Sequence, residues 1–307
     1  MKYPHDHNEI SHLSSMRRLK IALGIILGIM TAEIIGGILS NSLALLGDAG
    51  HMLVDALALG LSLFALALAR RPATITRTYG YHRAEIMAAL ANGTTLILVS
   101  IYIFYEAYQR FREPPHINTP LMLTIAAIGL IANIFALMIL SKAGHGSLNI
   151  RAALWHIIGD TVSSVGVIVA GLIMMFTGWY FVDPIIAIFI GLVILWGAVR
   201  IIRESADILL EAVPKHVQIK KVIDTINNVS GVKDVHDMHI WTITSGIHAL
   251  SAHLMLEDQK ISESSEIINA VNHELEEHFN ITHTTLQLEC EKYGSCPSGF
   301  ICEIKRP

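Results

Sequence analysis

Two tetrads of the same form, His51-x-x-x-Asp55 and His156-x-x-x-Asp160, are the residues of this chain best suited to chemistry. Four residues make about one turn of helix, so each His and its Asp project from one face. Both tetrads lie inside apolar stretches long enough to cross a bilayer. An ionised group at that depth costs roughly 2.5–3.5 kcal/mol even on lenient insertion scales, and such groups normally line a bundle interior or an ion path. Face to face, the two pairs would offer two imidazole nitrogens and two carboxylate oxygens. That is a tetrahedral set for a borderline-soft divalent cation, with Zn2+ the leading candidate.

The elements that must carry these tetrads are membrane helices. A chain of 307 residues that is 52% hydrophobic and 16% charged has more apolar surface than a soluble core can hide. Runs of about 20 apolar residues predict six spans, at Leu19–Leu39, Leu43–Ala69, Ala84–Tyr108, Leu121–Leu140, Ala152–Phe176 and Phe181–Ile202. Lys and Arg gather on one side of such a topology: Arg17, Arg18, Arg70, Arg71, Arg77, Arg83, Lys142, Arg151, Arg200 and Arg203 among them. The other side holds only Arg110 and Arg112. By the positive-inside rule both termini are cytosolic. The thiols of Cys290, Cys296 and Cys302 should then be reduced, and no disulfide scaffold is expected.

The composition changes near Ser205. The first 204 residues carry 14 Lys and Arg against 11 acids, whereas Ser205–Pro307 carries 8 against 15, a net charge of −7. The acidic part would concentrate divalent cations and argues against nucleic acid as a partner. Ile219, Val222, Ile223 and Ile226 recur at helical spacing, as do Ile267, Val271 and Leu275. Val232–Thr244, Ile247–Leu256 and Thr284–Glu289 are rich in β-branched and apolar residues and read as strands. The fold class expected is an all-α six-helix membrane domain followed by a cytosolic α+β domain in the order α-β-β-α-β. The expected divisions are 1–18, a cytosolic lead-in; 19–204, the six-span transport domain; 205–290, a cytosolic regulatory and dimerisation domain; and 291–307, a Cys-containing tail.

Several blocks together resemble the cation diffusion facilitators, and among them the zinc-selective bacterial branch with its animal zinc-transporter relatives. They are SLALLGDAGHMLVD at Ser42–Asp55, YGYHRAEI at Tyr79–Ile86, NIRAALWHIIGD at Asn149–Asp160, DILLEAVP at Asp207–Pro214, HDMHIW at His236–Trp241 and TTLQLE at Thr284–Glu289. The resemblance implies a homodimer in the lipid bilayer, in the inner membrane of a bacterium, that exports divalent metal in exchange for protons by alternating access. Zn2+ would be the transported and regulatory ion, with Cd2+ or Co2+ possible. It also implies that His51, Asp55, His156 and Asp160 form the transport site, since these positions match the family's pattern without substitution. Metal competes with protons for the same lone pairs, and a free imidazole titrates near pH ~6.5, so protonation can drive release.

By the same resemblance, His236, His253, His283 and Glu289 fall at or near places where family members bind cytosolic metal. In a regular strand His236 and His239 face oppositely, and periodicity does not choose between them. His283, Thr285, Gln287 and Glu289 share one face of the last strand, and His253 lies with Ala249 and Ser251. Cys290, Cys296 and Cys302, with five residues between neighbours, are either tail ligands for a soft metal or unpaired thiols. N-terminal His5, His7 and His12 read as a weaker cluster of that kind or as a polar lead-in.

Six further positions matter. Asp48, on the face of His51, is an outer partner of the site or a group that satisfies the helix start near Asn41 and Ser42. Glu33 and Asn133 are polar residues inside spans, best read as interhelical hydrogen-bonders, with a proton or access role as the alternative. Arg83 and Glu211 match family positions that pair near the membrane surface. The first cytosolic loop offers only His82 as a ligand, so a third metal site there is not expected.

Two rival classes fit less well. An intramembrane metalloenzyme needs an open coordination position and a general base, and no His-Glu-x-x-His helix occurs. A membrane-embedded metal sensor leaves ligands buried in two separate spans without a purpose.

Overall fold

In a computed structural model the chain is described over residues 24–69, 71–141 and 148–290. Six helices come first: α1 (Gly24–Ser40), α2 (Leu43–Ala69), α3 (Ala84–Arg112), α4 (Thr119–Ser141), α5 (Leu148–Thr177) and α6 (Val182–Leu209). Among the described residues α3, α4, α5 and α6 are long and apolar enough to cross a membrane, while Gly24–Ser40 and Leu43–Val54 are shorter apolar helices. The first span expected, from Leu19, begins ahead of the described residues. Large apolar side chains such as Ile131, Phe135, Phe189 and Trp196 lie exposed along α4 and α6. That is the reverse of a soluble protein and the expected pattern where the solvent is lipid. Small residues let the helices approach. A side chain at Gly129 on α4 would run into Ile29 and Glu33 of α1, and one at Gly191 on α6 into Ile103 and Phe104 of α3.

The turn from α1 to α2 passes through Asn41 with φ 57°, a left-handed conformation that Asn tolerates. Of the free amides that begin α2, Leu45 N donates to the adjacent Ser42 Oγ at 3.2 Å and the first two are satisfied from far along the chain. Buried Asp183, at the start of α6, accepts from Ser42 Oγ at 2.6 Å, Leu43 N at 2.8 Å and Ala44 N at 3.1 Å. Arg110, at the end of α3 and only 7% exposed, offsets that charge: its Nη1 lies 3.4 Å from Asp183 Oδ2. Arg110 also donates to the Asn41 carbonyl at 2.6 Å, to Asn41 Oδ1 at 3.1 Å and to Glu106 Oε1 at 3.1 Å. An arginine counted from sequence as an outer-loop charge is therefore part of a buried, paired network.

After α6 the chain forms α7 (Ile219–Asn227), β1 (Val232–Thr244), β2 (Ile247–Leu256), α8 (Ile261–Phe279) and β3 (Ile281–Cys290), the expected α-β-β-α-β order. β2 is central, antiparallel to β1 and parallel to β3. One face of the sheet is covered by the helices: Leu250 and Leu254 of β2 pack with Val222 and Ile226 of α7 and Val271 and Leu275 of α8. The helix residues are those whose 3.6-residue spacing predicted them, and burial of each such side chain contributes roughly 1.5–3 kcal/mol. β3 starts three residues before the predicted Thr284, because Ile281 is buried and paired with His248.

By compactness the described residues fall into two units, one drawn from Met1–Leu61 and Ala91–Arg200, the other from Ser62–Leu90 and Ile201–Pro307. The first cytosolic loop thus belongs with the sheet. Arg83 Nη2 donates to Glu211 Oε1 at 2.9 Å, the pairing that the resemblance implied. Both side chains are substantially exposed, so the pair contributes under ~1 kcal/mol. A second grip was not expected. Glu85, in the first turn of α3, accepts from Thr244 Oγ1 at 2.7 Å and Ser245 Oγ at 2.9 Å, at the turn between β1 and β2.

Candidate metal centres

In the membrane helices, His51 is half-buried on α2 and Asp160 is buried on α5. The side chains of Asp55 and His156 lie outside the described residues, although both positions are helical, on α2 and α5. Asp48 is buried beside Ser163 of α5 and within electrostatic reach of Asp160. It does not satisfy the helix start, because Asp183 does. Glu33, also buried, feels the charges of Asp48 and Asp160. Asn133 behaves as an interhelical hydrogen-bonder: its Nδ2 donates to Ser164 Oγ across α4 and α5 at 3.4 Å. A row of buried polar groups on α1, α2, α4 and α5 therefore surrounds the level of Asp160.

The cytosolic sheet brings together His236, His253 and Glu289, each with a ligand atom within 4.8 Å of the others. His253 Nδ1 lies 2.9 Å from Glu289 Oε1, and the two imidazole centroids are 5.3 Å apart. His236 Nε2 stands 3.1 Å from Glu289 Oε2, yet makes no hydrogen bond. The two atoms thus converge on a shared point rather than on each other, as ligand atoms around an ion do. All three residues lie on the sheet face away from the helices. Pairing sets this: His236 is opposite His253, and Glu289 is opposite Met255, the residue two along from His253 on the same face.

The expectation that His236 and His239 face oppositely fails, because β1 is not regular. Asp237 has φ 48° and the register shifts between His236 and His239. That bulge changes parity: Val235 reaches the core before it, and Met238 and Ile240 reach it afterwards. Both histidines therefore lie on the open face. Asp237, which sequence reasoning did not single out, sits between two of them, with Oδ1 3.3 Å from His239 Nε2 and Oδ2 3.6 Å from His253 Nε2. Its only signal in sequence was an Asp inside a His-x-x-His strand, a residue type that adopts left-handed backbone.

His283 is a second correction. It precedes Glu289 by six residues on β3, which at about 3.3 Å per residue is roughly 20 Å away. Its exposed ring instead meets Tyr79 edge-on, with centroids 5.6 Å apart. Cys290 is a half-buried free thiol at the end of β3. Cys296, Cys302, His5, His7 and His12 lie outside the described residues.

Comparison with known proteins follows the same division. Residues 19–210 match the cation efflux transmembrane domain, and residues 214–291 match the cytoplasmic domain of cation efflux proteins. The chain is 43% identical over 304 residues to the "Cadmium, cobalt and zinc/H(+)-K(+) antiporter" of Bacillus subtilis (strain 168), covering 98% of this chain and 96% of that protein. It is 38% identical to the "Zinc transporter ZitB" of Escherichia coli (strain K12), covering 94% of this chain and 93% of that one. A solved metal-bound C-terminal domain of the CzcD transporter of Cupriavidus metallidurans is 36% identical, covering 24% of this chain and 99% of its own, with a TM-score of 0.22. With both domains matched in order and relatives matched over nearly their full length, this chain belongs to the cation efflux family of membrane transporters, the cation diffusion facilitators, and not to a family of enzymes.

Proposed function

We propose that this protein exports divalent metal, Zn2+ foremost, from the cytosol in exchange for protons, binding it at His51, Asp55, His156 and Asp160. The observation that carries the reading is the register of α2 against α5. Asp48 lies beside Ser163. One turn onward on α2 is His51, and one turn back on α5 is Asp160; a further turn brings Asp55 and His156 to a common level. The four positions then occupy two adjacent turns of the bundle, where two carboxylates would offset the charge of one ion and protons arriving at the same groups would release it. The names of relatives that carry cadmium, cobalt and zinc support Cd2+ and Co2+ as further cargo, since these ligands accept all three ions.

The same reading gives a homodimer in a bacterial inner membrane with both termini cytosolic, divided at 18, 204 and 290. The match to a cytoplasmic domain over residues 214–291 supports that orientation. His236, His253 and Glu289 fit a resident regulatory Zn2+, with Asp237 holding the His253 ring through its other nitrogen. A bound ion would neutralise Glu289 and tie β1, β2 and β3 at one end of the sheet.

The test is Zn2+ uptake into proteoliposomes with an imposed pH gradient. Wild type is expected to move Zn2+ against the proton gradient. Loss of an outer partner of a metal ligand already costs roughly 10–100-fold, so Asp55→Ala and His156→Ala are expected to lower flux at least to that extent. Unchanged flux in both variants rejects the site.

A further inference from the structure

A second pair of histidines lies on the opposite, helix-covered face of the cytosolic sheet. His248, near the start of β2, is 6% exposed. His216 lies between α6 and α7, and its ring centroid stands 5.0 Å from that of His248 with 57° between the planes. The two border a cavity of about 250 Å³ whose wall also carries Glu204, Asp207, Lys215 and Thr242.

Three features make this more than a chance stacking of rings. First, imidazoles bound to one tetrahedral ion at about 2.0–2.1 Å hold their centroids roughly 5 Å apart, and the His236–His253 pair on the other face shows 5.3 Å. Second, Thr242 Oγ1 lies 3.2 Å from His248 Nδ1. In the Nδ1–H tautomer that hydroxyl accepts the ring proton, fixes the ring and leaves Nε2 to a ligand, as the outer partners of metal-bound histidines do. Third, two carboxylates stand at the rim, Glu204 and Asp207. Lys215 Nζ is 3.8 Å from Glu204 Oε1 and 3.7 Å from Asp207 Oδ2, and its side chain is 73% exposed, so it withdraws into water at little cost. Burial, and then the neighbouring His216, hold the His248 imidazole below its ordinary pKa, which keeps its lone pair available at cytosolic pH.

We infer that His216 and His248 form a second cytosolic site for a borderline-soft divalent cation such as Zn2+ or Co2+, with water completing the coordination and Glu204 and Asp207 on the same cavity wall supplying negative charge. An ion held there joins the end of α6 to the turn between β1 and β2, the turn whose Thr244 and Ser245 grip Glu85 of α3. The site draws on the export reading only for the class of ion.

The experiment is a Co2+ titration of the full chain in detergent, in an Asp55→Ala, His253→Ala background, read by equilibrium dialysis and by the intensity of the cobalt d–d absorption. No gradient is imposed, so a failed count here and a failed flux measurement are separate results. Binding is expected to fall by one equivalent, with loss of its tetrahedral absorption, when either His216→Gln or His248→Gln is added. Lys215→Ala is expected to tighten that equivalent severalfold. His216 is exposed, so its replacement leaves the core untouched. A count that stays the same after both His replacements, or a background with no such equivalent, overturns the inference.

Discussion

Asp237 shows how much one backbone conformation decides. By turning left-handed it puts His236 and His239 on one face, returns Met238 to the core, and sets its own carboxylate beside His239 and His253. None of this is legible from alternation, which assumes an unbroken period of two. What was legible was the residue type: His, His and Glu on strands that had to pair, since Val232–Thr244 and Ile247–Leu256 were read with their observed limits. His283 misled because it shares the polar face of β3 with Glu289, and a shared face does not mean a shared end. His248 carries a pH prediction. Its pKa is lowered in the fold from an ordinary 6.5 by burial and then by His216. Across that window the unfolded chain binds more protons than the folded one. This contribution to stability is therefore complete above the ordinary value and is lost as pH falls through the folded value. Urea unfolding of the full chain in detergent at several pH values between neutral and mildly acidic is expected to show that loss, and His248→Gln to flatten it. An equal slope in the variant contradicts the assignment.

Helix starts are normally capped by a neighbour in sequence. Here α2 is capped from both near and far: Ser42 Oγ accepts from Leu45 N at 3.2 Å, while Leu43 N and Ala44 N go to Asp183, some 140 positions away, a partner that sequence reasoning, weighing Asp48 for that start, had no means to find. Helical spacing located α7 and α8, β-branched runs located the three strands, and hydropathy located the apolar helices. None of these carries information about which distant carboxylate reaches which amide. The cap is expected to be costly to remove. Asp183→Ala takes the acceptor from Leu43 N and Ala44 N and removes the carboxylate that faces Arg110, and breaking a buried charge pair costs roughly 3–5 kcal/mol. Thermal unfolding of the detergent-solubilised protein is expected to show a clear fall in midpoint, with a smaller fall for Asp183→Asn, which keeps an oxygen acceptor but loses the charge facing Arg110. Equal midpoints for all three proteins would remove the cap from the account.

For the whole molecule, the first cytosolic loop and the first turns of α3 belong with the sheet rather than with the remaining membrane helices. Glu85 and Arg83 are the tethers, one held by the turn between β1 and β2 and the other by Glu211. The sheet that carries the proposed metal site is thus bonded to α3 through Thr244 and Ser245. The proposed homodimer has a direct measure: light scattering corrected for detergent is expected to give about 67 kDa, twice the 33.7 kDa of one chain. A monomer at micromolar concentration would count against it. The Asp183 cap bears on how such a transporter moves. Amides at a helix beginning ordinarily fray and trade their protons with water quickly, but those of Leu43 and Ala44 are bonded to a buried acid and should be among the slowest to take up deuterium. With its first turn pinned, α2 is held against unravelling from that end.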